Sequence, residues 1–181
     1  TYDSNYGTYF HQYRFQLGAA LFYECAQRLI GVGHYTALAE INVVCLAAAY
    51  AAVIFVTNQL FGDRRVTLIA IALLGLFFQG ILYCTLLYGT LPGYALAAWA
   101  VALTAFHLRT GRRWPLVPAA VLCAAAAALK PNYWIFVIAI AAMLMLHALA
   151  AKKWPPLLAA ALVLLLSVCG QKLVAAQYEW R

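Results

Sequence analysis

From Pro115 to Ala150 the chain runs apolar for about 36 residues, interrupted near its middle by Lys130-Pro131-Asn132. At ~1.5 Å per residue a single helix of that length would overshoot a ~30 Å hydrocarbon core. A lysine inside such a run is costly to bury unless it is partnered or reaches water. The proline after it removes a backbone donor and turns the preceding residue away from helix. The run therefore reads as two shorter helices, 115–129 and 132–150, meeting at a corner. The first leg is shorter than the usual ~17–25 residues of a span. Either that leg starts at a thinned or snorkelled boundary, or the corner lies below the outer surface in a water-filled depression, since non-helical backbone at membrane depth needs a cavity or a protein cover.

The composition agrees. Hydrophobic residues make up 67% of the 181, charged residues 9%, and mean hydropathy is +0.85. A soluble domain is roughly 45–50% apolar and ~25% charged. The fold class is all-α, a polytopic transmembrane bundle. The net charge of +7 sits mostly in three short clusters: Arg64-Arg65, Arg109 with Arg112-Arg113, and Lys152-Lys153. Short basic loops between apolar spans are topology signals, so nucleic acid is not an expected partner. The five cysteines stand singly, with no metal-ligand spacing. No metal site or cofactor is evident, and a need for a divalent metal is left open.

Six spans are expected, at about 35–61, 66–87, 91–108, 115–129, 132–150 and 157–172. Residues 1–14 read as an aromatic loop at the boundary. Residues 15–31 have helical apolar spacing at 15, 19, 22, 26, 29 and 30, and Glu24 and Arg28 can pair four apart. Too many polar residues interrupt this stretch for a span, so it reads as an amphipathic interfacial helix. The chain begins with Thr1 and reads as a segment of a longer protein. With Asp63–Arg65 inside, all three basic clusters fall on the inner side, as the Lys/Arg bias requires. Residues 1–33, the 88–93 turn and the Lys130 corner fall outside. The expected location is a plasma (inner) membrane.

The outer polar residues suit a phosphate held at the membrane surface. Lys130, Arg14 and Arg28 supply charge, while Asn132, Tyr133 and Tyr88 supply neutral donors. The plainer reading is snorkelling cations and an aromatic belt. Glu40, near the outer end of the first span, and Asp3, in the outer loop, are the acidic candidates for catalysis. For each a hydrogen-bonded or solvated role is the simpler alternative. The alanine run 124–128 marks close helix packing.

Gln16-Leu17-Gly18, Arg28-Leu29-Ile30-Gly31, Tyr88-Gly89 with Pro92-Gly93, and Leu129-Lys130 with Asn132-Tyr133 stand in an order that resembles one family. It is the GT-C fold group of polyprenyl-phosphate-sugar-dependent glycosyltransferases, protein O-mannosyltransferase-like and family 39-like. The resemblance implies a lipid-linked sugar donor as substrate and an acceptor glycan, lipid or protein on the outer face. It implies that Lys130 contacts the carrier phosphate or shapes the site, and that helix 15–31 lies beside the carrier lipid. The catalytic carboxylate would lie upstream of Thr1. Relatives often carry an acidic residue in the turn between the second and third spans, where this chain has Thr90. Two other classes compete. A transporter or permease segment would show an internal repeat, and the Leu-Lys-Pro-Asn-Tyr corner is not repeated. A scaffolding subunit would have bland spans and small outer loops.

Overall fold

The computed structural model describes residues 16–152 and 154–179. They form helices, with no strand among the described residues: α1 (Leu17–Ile30), α2 (Tyr35–Phe61), α3 (Arg64–Leu76), α4 (Phe78–Tyr83), α5 (Thr90–Thr110), α6 (Leu116–Leu129), a 3₁₀ turn (Pro131–Tyr133), α7 (Trp134–Ala151) and α8 (Pro155–Glu179). Four stretches are long and apolar enough to cross a membrane: Tyr35–Phe61, Thr90–Thr110, Pro131–Ala151 and Pro155–Gln177. Helix α6 is apolar but shorter.

Helix α5 is the hub. Its alanines Ala95, Ala97, Ala98, Ala100, Ala102 and Ala105 are buried. Small side chains let helix backbones approach, and in lipid that packing is a main source of helix association. One side of α5 meets α2 through Ala49 and Ala52. The other side joins α6, α7 and α8 around Cys123, Val137, Ile140, Leu144 and Val163. Ala124, Ala126 and Ala127 are buried as well, so the alanine run does serve close packing.

Local chemistry sets most helix ends. Gly62 and Gly111 close α2 and α5 in the left-handed region, at φ 63° and 70°, where glycine carries no Cβ penalty. Asp63 caps α3 by accepting a hydrogen bond from the Arg65 amide at 2.8 Å. The corner forms as the sequence predicts. Lys130 is extended (φ −154°, ψ 124°) and Pro131 opens the 3₁₀ turn, as the residue before a proline requires.

The second span differs from its expected form. Residues 66–87 are not one helix: α3 ends at Leu76, Phe77 breaks the run, and α4 lasts only to Tyr83. Side chains of α2 meet this stretch. The Tyr50 hydroxyl donates to the Phe77 carbonyl at 3.4 Å. The Asn42 amide donates to the carbonyls of Cys84 at 3.0 Å and Leu86 at 3.3 Å. Asn42 thereby pairs carbonyls beyond the end of α4, while the Phe77 carbonyl also accepts from the Gly80 amide at 3.2 Å. Gly80 lets α4 approach, since a Cβ there would lie 2.8 Å from the Tyr50 hydroxyl.

Helix α1 packs against α2, α6 and α8. Leu17, Gly18, Ala19, Tyr23 and Ala26 are its buried face. The expected apolar face agrees at 19 and 26 and fails at its end, where Leu29 is 89% exposed.

Candidate functional site

The expected site residues divide into those the fold gathers and those it does not. Lys130 leaves α6 at the corner, and its ammonium donates to the Thr90 hydroxyl at 3.1 Å. The same ammonium lies 4.5 Å from the centroid of the Tyr88 ring, within cation–π range. The Tyr133 hydroxyl donates to the Thr90 carbonyl. The Gln16 amide donates to the Tyr88 hydroxyl at 2.7 Å. The corner, the first turn of α5, the turn before it and the start of α1 thus meet at one point. Asn132 is exposed on the 3₁₀ turn beside them.

Three glycines make this convergence possible. A Cβ on Gly18 would come 1.9 Å from the Ala128 carbonyl oxygen, so α1 rests on the end of α6. A Cβ on Gly93 would come 2.2 Å from the Tyr133 ring. Gly89, at φ +67°, faces the Ala19 methyl, 2.6 Å from where its Cβ would stand. No larger residue fits these approaches without movement.

The other candidates lie elsewhere. Arg28 is ~18 Å along α1 from Gln16 at 1.5 Å per residue and pairs with Glu24 at 2.8 Å. It is not among the residues that contact Lys130 or Tyr88, and the predicted i,i+4 pairing with Glu24 is present. Glu40 is exposed on α2 and is not among the converging residues. Asp3 and Arg14 lie outside the described residues.

Sequence reasoning passed over Asn42 and Tyr23. Asn42 is fully buried, and its side-chain oxygen accepts from the Tyr23 hydroxyl at 2.9 Å. With its two bonds to the 84–86 backbone, it ties α1, α2 and the turn leading to Tyr88 into one unit. A signal was available, because an amide in an apolar helix rarely goes unpartnered. Burial raises the Tyr23 hydroxyl above its ordinary 10.0, so it stays protonated and donates.

Burial also lowers the pKa of Lys130 from the ordinary 10.5. Its amine is nonetheless a cation at neutral pH, with an uncharged hydroxyl and an aromatic face as its described partners. Such a group is available to an anion. The site is a part-open recess, with Lys130 half-buried and Tyr88 and Asn132 exposed. Leu91, beside Thr90, packs with Leu46, about 17 Å along α2 from its start. Helix α2 therefore rises past the site. Helix α6 is ~21 Å long by the same rise, short of a ~30 Å core.

The basic clusters occupy the opposite end. Arg109 donates to the carbonyls of Asn58 and Gln59 at the end of α2, and the His107 ring bonds to the Arg112 carbonyl. Thr90 and Arg109 are ~29 Å apart along α5. Lys152 ends α7, which starts at the corner. Among the described residues, no group of three or more His, Cys, Asp or Glu could hold a metal ion.

Among the described residues, the fold and site define an all-helical integral membrane protein with a polar, cationic recess at the end away from its basic loops. No family model matches the chain, and no characterised protein or solved structure matches it either.

Proposed function

We propose that this chain is the membrane core of a glycosyltransferase that moves a sugar from a polyprenyl-phosphate carrier to an acceptor on the outer face of a plasma membrane. One observation carries the reading. Gln16, Gly18, Tyr88, Gly89, Gly93, Lys130 and Tyr133 are scattered over more than a hundred residues of sequence, and all belong to the motifs that resemble that enzyme group. They meet at the corner, where the Lys130 ammonium touches Tyr88 and Thr90 and the glycines pack the surrounding backbone together.

In this reading the four long spans are joined by α6 and by the broken α3–α4 pair, giving six crossings. Helix α1 lies along the outer surface. The carrier phosphate enters the recess and meets Lys130, with Tyr88, Asn132 and Tyr133 as neutral neighbours. As the bond between the sugar's anomeric carbon and the phosphate oxygen breaks, charge grows on the phosphate. A cation fixed in a low-dielectric recess stabilises that charge more than water would. The acceptor, a glycan, lipid or protein hydroxyl, bonds the anomeric carbon through its oxygen and gives its proton to a general base, and the polyprenyl phosphate departs.

The test is transfer of labelled sugar from a polyprenyl-phosphate donor by membranes containing the full-length protein. Lys130→Ala should reduce transfer at least tenfold while the protein still inserts. Transfer unchanged by that substitution would remove Lys130 from the site. Absence of transfer by the unaltered protein would sink the reading.

A further inference from the structure

Beside the corner is a cleft of about 400 Å³ between α1, α6 and α8. Leu17 and Gly18 form one wall, Ala128 and Pro131 the floor, and Val168, Val174 and Ala175 the opposite wall. Its volume falls within the ~300–1,000 Å³ of ligand sites. Two polar side chains line it, Gln171 and Lys172. The Gln171 amide is engaged with the Ala127 carbonyl at 3.3 Å. Lys172 is exposed and has no acidic residue beside it in the lining.

We infer that this cleft binds a membrane lipid with an anionic headgroup, its phosphate on Lys172 and a hydrocarbon chain along the apolar walls. Depth supports this. Lys172 stands ~26 Å along α8 from Pro155 at the basic end, where a ~30 Å core gives way to headgroups. Val168 lies one turn deeper. The flanking face of α8 is open to lipid, with Leu164, Leu165, Val168 and Leu173 exposed. A chain can therefore enter sideways without leaving the bilayer. Charge sets the headgroup, because a lone cation at that level attracts an anionic lipid and gains nothing from a zwitterionic one. The occupant is wedged where α1 meets α6, beside the corner, so it would brace the contact that positions Lys130. The site stands on the cleft and Lys172 alone and does not depend on sugar transfer.

The experiment uses the full-length protein in phosphatidylcholine nanodiscs doped with a photoactivatable phosphatidylglycerol, with labelled residues mapped by mass spectrometry. Label should concentrate on Leu17, Val168, Val174 and Ala175. Lys172→Gln should lower it about fivefold, and Lys172→Arg should restore most of it. Lys130→Gln should leave it unchanged, which separates this site from the recess. Millimolar inorganic phosphate should not compete. Equal labelling by a photoactivatable phosphatidylcholine, indifference to Lys172→Gln, or competition by free phosphate would each overturn the proposal.

Discussion

Gly18 rests on Ala128 so closely that a methyl group on the glycine would stand 1.9 Å from the alanine's carbonyl oxygen. This contact joins the first helix to the residues just before Lys130 and holds Gln16 against Tyr88. Helix α1 reaches the site by this backbone contact together with the Gln16–Tyr88 hydrogen bond.

Gly18→Ala should therefore force α1 off α6, at an overpacking cost of about 1–3 kcal/mol. Thermal unfolding of the solubilised protein should show a clearly lowered midpoint. Gly75→Ala is the control, since nothing lies within 4 Å of a Cβ there. Equal midpoints for the two variants would mean that the α1–α6 contact does not hold the structure.

Asn42 has three partners and no exposure. Asn42→Leu would leave two backbone carbonyls and the Tyr23 hydroxyl without it, at roughly 1–3 kcal/mol for a buried unpaired group. The turn at 84–89 should loosen first. Alkylation of Cys84, buried in the folded protein, should speed up in the variant. An unchanged rate at Cys84 would show that the turn holds without Asn42.

What the sequence revealed and what it concealed follow from the range of the interactions involved. The corner was legible because Lys130-Pro131 constrains its own backbone. The Glu24–Arg28 pair was legible because four residues make one helical turn. The distribution of basic loops between the bundle ends followed from counting spans. The break at Phe77 was hidden, because the apolar run carries no proline there and the residue that meets it, Tyr50, stands on another helix. The exposure of Leu29 was hidden likewise, since α1 is packed by α6 and α8, more than eighty residues away in sequence. Arg28 and Lys130 were both read as outer cations, and α1 sets Arg28 ~18 Å from Gln16 along its axis.

The two ends of the bundle should face opposite sides of the membrane. Asn132→Cys and Arg112→Cys, each made in a background with the native cysteines replaced, should react with an impermeant maleimide from opposite sides of sealed vesicles. Reaction of both from one side would overturn the topology.

The lowered pKa of Lys130 gives opposite signs for stability and binding. The folded protein releases this proton at lower pH than the unfolded chain does. Between the folded value and 10.5 the unfolded chain holds more protons, so this group's contribution makes stability rise with pH through that window. Phosphate binding needs the ammonium, so affinity should fall as pH rises through the folded value. Lys130→Arg keeps its charge throughout, and its binding should lack that alkaline fall. The same fall in the arginine variant would assign it to another group.

The central claim is that Lys130 holds a lipid phosphate, and the most direct measurement compares the binding of a polyprenyl phosphate with that of the corresponding polyprenol in nanodiscs. The native protein should prefer the phosphate by about ten- to a hundredfold, the worth of a charge-assisted hydrogen bond. Lys130→Gln should bring the two affinities together while leaving polyprenol binding intact. A preference for the phosphate that survives Lys130→Gln would contradict the account.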